Sequence, residues 1–128
     1  MRLAARWGRL MGTSLSGRNI LIVEDEPLIA LCIVDIFRAA GASTEVARSL
    51  AAAQELVEGH SISAAVVDFG LGDGDANELC TQLNHMHVPF VLHSGYIAPD
   101  ISCAPDAVVP KPADPKKLVD AVGHLLGR

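Results

Sequence analysis

Two stretches place acidic side chains where a carboxylate can act as a nucleophile or hold a cation. VEDEP carries Glu24, Asp25 and Glu26, and SAAVVDFGLGDGD carries Asp68. Asp68 follows the small or β-branched apolar residues 64–67 and precedes a loop with Gly70, Gly72 and Gly74. This reads as a buried strand ending in an exposed carboxylate, and ligands of open parallel α/β sheets collect outside the carboxyl ends of the strands. Glu24 and Asp25 likewise end an apolar run, residues 20–23. If the two strands are neighbours, Glu24, Asp25 and Asp68 meet at one mouth. Two unit charges about 4 Å apart repel by roughly 4 kcal/mol at an effective dielectric near 20, so such a cluster takes up protons or recruits a hard cation. Carboxylates, a loop carbonyl and water suit Mg²⁺, which keeps several waters and needs few protein ligands. Glu26 is better read as a solvated charge at a helix start.

The elements that must position these residues alternate along the chain. After the strand at 20–23, Pro27 suits the first turn of a helix whose apolar positions Ile29, Ile33, Ile36 and Ala40 recur up to a stop at Gly41. Residues 44–47 alternate as a half-exposed edge strand should, and Ser49 can cap a second helix that ends at Gly59. Asp75 can cap a helix through Leu83; residues 88–92 and 107–109 read as the fourth and fifth strands; Asp114 with Pro115 opens a last helix running to about Leu126. Five strands alternating with helices predict a three-layer α/β fold around a parallel sheet.

Composition narrows the function classes. The 128 residues suit one domain, and the net charge of -5 argues against general affinity for nucleic acid, which needs clustered Lys and Arg. Cys32, Cys80 and Cys103 lack metal spacing, and two of them fall in apolar helical patterns, which suggests buried thiols in a reduced cytoplasm. No apolar run reaches transmembrane length. Residues 1–17, with Arg2, Arg6 and Arg9, are expected to be a basic, disordered leader, and residues 18–128 the domain.

VEDEP, VVDFGLGDGD, VLHSGY and VPKP, in this order and spacing, resemble the receiver domain of bacterial two-component response regulators over about residues 19–126. The resemblance implies a flavodoxin-like (βα)5 fold with strand order 2-1-3-4-5. It implies that Asp68 accepts a phosphoryl group from the phosphohistidine of a histidine kinase or histidine phosphotransfer protein. Asp25, Asp68 and the backbone carbonyl of Gly70 would hold Mg²⁺, with Glu24 acting through water, while Ser94 and Lys111 would bind phosphoryl oxygens. A cis bond before Pro112 is a further implication. Each role suits its residue: a carboxylate can be phosphorylated, and phosphoryl transfer needs mainly positioning and charge neutralisation.

Three features depart from the common receiver pattern. The position three before Lys111, where receivers usually carry a switching Tyr or Phe, is Val108. Pro99, Pro105 and Pro110 crowd the segment between Ser94 and Lys111, so the fourth helix should be very short or absent. The run PFVLHSGY resembles a subgroup of stand-alone receivers from alphaproteobacteria. On the first helix, Leu31 and Val34 share a face with Asp35 and Arg38, which suggests an exposed apolar patch where a kinase or phosphotransfer domain docks. A downstream protein and a second copy of the chain are the other partners expected. The rival reading is a pseudo-receiver, the same fold acting without phosphorylation as an interaction or dimerisation module. A small-molecule phosphohydrolase is disfavoured because Gly70 stands where a second catalytic aspartate would be needed.

Overall fold

The computed structural model describes residues 14–68, 76–94, 105–111 and 114–127, with the Ser94 side chain left out. Strands β1 (Asn19–Val23), β2 (Ser43–Ala47), β3 (Ala64–Asp68), β4 (Phe90–Ser94) and β5 (Ala107–Pro110) form one sheet in the order β2-β1-β3-β4-β5. Every neighbouring pair is parallel. Helices α1 (Pro27–Ala39), α2 (Leu50–Gly59), α3 (Asn77–His85) and α4 (Pro115–Leu125) complete the described elements. This is the flavodoxin-like strand order that the resemblance implies.

Side chains of a strand alternate between its faces, and here both faces are covered. Leu21, Val23, Ala65, Val67 and Leu92 pack with α2 and α3 residues such as Ala53, Val57, Leu79 and Leu83. Ile20, Ile22, Ala64, Val66 and Val91 pack on the other side with Ile33, Phe37, Leu118 and Val122 of α1 and α4. That is why β3 is buried at all five positions and reads as a continuous apolar run. The edge strand β2 is buried only at Ala47, matching its alternating sequence. β4 runs two residues beyond the expected end, because the polar pair His93 and Ser94 continues the ladder opposite Val109 and Pro110.

The helix starts follow local chemistry. The Ser49 side chain accepts a hydrogen bond from the Ala52 N–H (3.1 Å), and Asp114 accepts one from the Lys116 N–H (3.0 Å). Pro27 and Pro115 occupy the first turns of α1 and α4, where a missing N–H costs nothing. At α3 the capping position is Ala76, with no side-chain cap bond, and the expected cap Asp75 lies outside the described residues.

Three expectations need correction. The buried stripe of α1 is Ala30, Ile33 and Phe37, continued by Ala40, whereas Ile29 is exposed and Ile36 only half-buried. Apolar residues ring this helix, so spacing alone left its inward face ambiguous, and the bulk of Phe37 sets it. Cys32 is consequently exposed, while Cys80 is buried as expected. The folded part also begins before residue 18: Leu15 is fully buried in the α1/α4 core, and its N–H donates to the Ala40 carbonyl (2.8 Å). The neighbouring turn needs Gly41, whose φ is +100° and where a Cβ would stand 2.8 Å from the Ser16 hydroxyl. Residues 95–104 and Pro112 lie outside the described residues, and with them the expected short fourth helix and the cis bond. Among the described residues no helix is long and apolar enough to cross a membrane.

Candidate phosphoacceptor site

The site is assembled where β1 and β3 end side by side, with Val23 in register with Val67. The Glu24 N–H still donates to the Ala47 carbonyl of β2 (3.0 Å), which extends the ladder by one residue and fixes where the first carboxylate leaves the sheet. Glu24 is 2% exposed and Asp25 is exposed, whereas Asp68, expected to be an exposed carboxylate, is buried because the last position of β3 lies between β1 and β4 in the middle of the sheet. One carboxylate oxygen from each lies within 4.8 Å of the others. The convergence anticipated from three acidic strand ends is therefore present.

Lys111, directly after β5, brings its Nζ to 3.0 Å from Asp68 Oδ1. The β4–β5 register aligns Ser94 with Pro110, so the backbone brings the position of the hydroxyl residue beside the residue preceding Lys111. The Ser94 side chain and Gly70 lie outside what is described. Glu26 stands at the capping position of α1 with no side-chain cap bond, and its N–H donates to Glu24 Oε2 (3.1 Å). It is exposed, as a solvated charge should be.

The electrostatics mark Glu24. Burial pushes its carboxyl up to about 7, the Asp68 charge adds to the rise, and the Glu26 N–H and Lys111 oppose it. Glu24 Oε1 is buried with no hydrogen-bond partner among the described residues. A buried oxygen without a donor, beside two further carboxylates, is a hard-oxygen donor set that fits a small divalent cation. Glu24, Asp25 and Asp68 are the described residues that would hold it.

His93 is the residue that sequence reasoning left without a role. It pairs in register with Asp68, is 5% exposed, and neither ring nitrogen has a hydrogen-bond partner among the described residues. Burial, helped by the Lys111 charge, lowers its pKa, so the ring is neutral near pH 7. The signal available in the sequence was a lone imidazole inside an apolar strand that reaches the site. Val108, at the position expected to lack the aromatic switch, is 51% exposed on β5.

Comparison with known proteins agrees with this geometry. Residues 20–123 match the family described as response regulator receiver domain. The Sensor protein TorS of Escherichia coli strain K12 is 28% identical over 120 residues, which cover 88% of this chain and 13% of that protein. Among solved structures, a CheY-like receiver domain protein from Methanospirillum hungatei JF-1 superposes with a TM-score of 0.80 at 23% identity, covering 85% of this chain and 93% of that one. The N-terminal domain of a response regulator/sensory box/GGDEF 3-domain protein from Carboxydothermus hydrogenoformans gives 0.76 at 27% identity, covering 85% and 94%. From its motifs, its strand order and a match that leaves out only the two ends, the chain belongs to the response regulator receiver domain family.

Proposed function

We propose that this protein is a phosphorylatable receiver in which Asp68 takes a phosphoryl group from the phosphohistidine of a histidine kinase or histidine phosphotransfer protein, and which then signals through protein contacts. The observation that carries the reading is the grouping of Glu24, Asp25 and Asp68 oxygens within 4.8 Å, with Lys111 Nζ 3.0 Å from Asp68. In the transfer, an Asp68 carboxylate oxygen forms a bond to phosphorus as the phosphorus–nitrogen bond of the donor breaks, and the imidazole leaves. Lys111, paired with Asp68 beforehand, is within a short swing of the incoming phosphoryl oxygens, and Ser94 would donate its hydroxyl to another. Asp25 and Asp68, with the Gly70 carbonyl and with Glu24 through water, would hold Mg²⁺, which supplies neutralisation of the charge that gathers between two anions. Water attack on the acyl phosphate returns Asp68 and inorganic phosphate.

Receivers as a family interact with histidine kinases or phosphotransfer proteins. Here the exposed apolar surface of α1 is the proposed docking face, but its composition differs from the expected one. Leu31 is 56% exposed, whereas Val34 packs against the core, and Leu28 at 76% takes its place.

Incubation with Mg²⁺ and acetyl phosphate, read by intact mass, tests the central claim. The expected result is a single phosphoryl adduct that is absent in Asp68→Asn. Failure to form any adduct would favour the phosphorylation-independent interaction module.

A further inference from the structure

Beneath the acidic mouth, on the α1/α4 side of the sheet, lies a cleft of about 240 Å³. Its walls are Ile33 of α1 and Leu118 of α4, both buried, and its rim includes Leu28, Cys32 and Pro115. Its one polar ring is His93, reached through the gap between the helices. Burying an imidazole with no partner for either nitrogen is costly, and the walls offer no donor or acceptor among the described residues to relieve it. A concave, mostly apolar cleft with a convergent polar group has the character of a small-molecule site.

We propose that the cleft between α1 and α4 binds a small bicyclic aromatic molecule bearing an N–H or O–H, which His93 holds through a hydrogen bond. Size sets the first part of this identity. An apolar cavity of ~150 Å³ accommodates benzene, so about 240 Å³ has room for a second fused ring. Chemistry sets the second part: a neutral imidazole keeps one acceptor nitrogen that an N–H or O–H satisfies, while aliphatic walls accept the flat faces of the rings. The walls at Ile33 and Leu118 are aliphatic, which favours an uncharged ligand body. The site does not depend on whether Asp68 takes phosphate, although its floor is the strand neighbour of that residue.

Titration of the full chain with indole, and with indene as the isostere lacking the N–H, tests the proposal, with His93 ring nitrogen shifts and backbone amide shifts as readouts. Indole is expected to bind roughly three- to tenfold more tightly than indene, the preference that one net hydrogen bond supplies. It should shift the His93 ring together with amides of Ile33 and Leu118. His93→Leu removes a buried group without a partner among the described residues and should fold at least as well; it is expected to bind both compounds equally. His93→Gln restores an acceptor and is expected to regain part of the preference. Absence of binding at millimolar indole, equal affinity for the two compounds in the unaltered protein, or shifts confined to another surface would each overturn the proposal.

Discussion

The two ends of the sheet are built on opposite principles. At the amino ends of the strands, polar groups are paired. The Asn19 N–H donates to the Ser63 hydroxyl (2.9 Å), its side-chain amide donates to Glu45 Oε2 (3.1 Å) and to the Ser61 carbonyl (2.9 Å), and the Ser63 N–H returns to the Asn19 carbonyl (2.8 Å). At the carboxyl ends, Glu24 has an oxygen without a donor and His93 has two nitrogens without a partner among the described residues, and three carboxylates crowd together. One end of the same sheet is satisfied and the other is held in electrostatic tension. Buried polar groups are normally hydrogen-bonded, so the contrast locates the surface that awaits a ligand, and it predicts that substitutions at the two ends should be separable into stability effects and binding effects.

Four substitutions or conditions can sharpen or break that separation. Leu15→Ala, on the satisfied side, should cost about 2–5 kcal/mol in urea unfolding, yet leave the acetyl phosphate adduct intact where the protein remains folded. At the tense end, stability should depend on Glu24 in a defined direction. Its carboxyl titrates near 4.5 when unfolded and near 7 when folded, so between those values the folded chain holds a proton that the unfolded chain has lost. The Glu24 contribution to stability is therefore fully present below pH 4.5 and is lost as pH rises through about 7, a loss on the order of 3 kcal/mol. Glu24→Gln should abolish this slope, and Mg²⁺ should lessen it. His93 runs the other way, losing stability as pH falls below 6.5, so the difference between the unaltered chain and Glu24→Gln is the quantity to measure.

Smaller effects should follow at the surface. Leu28→Asp combined with Leu31→Asp should slow phosphoryl transfer from a protein donor at least about tenfold, equivalent to about 1.4 kcal/mol, with the acetyl phosphate rate unchanged. Equal slowing with both donors would remove α1 as the docking face. Asn19→Ala should cost about 1 kcal/mol of stability and nothing in phosphorylation. Loss of the adduct in that variant would mean that the two ends of the sheet are not independent.

Much of this was legible in the residues. β1 and β3 are covered on both faces, so their uninterrupted apolar runs announced them, and a carboxylate directly after each run announced the mouth. Capping by Ser49 and Asp114 is local chemistry and was readable for that reason. The inward face of α1 was not, because Leu28, Ile29, Leu31 and Cys32 make its outer side as apolar as its inner one, and only packing against Phe37 and Ile33 decides between them. Leu15 was hidden as a single apolar residue among polar neighbours, with no period to reveal its burial. His93 shows the same limit at the site: a sequence displays an imidazole but not whether anything reaches its nitrogens.

Leu15 and Leu126 also determine how the molecule can be handled. Leu15 is tied to Ala40 at the exit of α1, and the Arg18 guanidinium donates to the Leu126 carbonyl (3.4 Å) just beyond α4, so both extremities of the described fold leave from the pole opposite the carboxylates. A fluorophore placed at Ser14 or Gly127 would thus start from that pole and leave the approach to the mouth open to a donor.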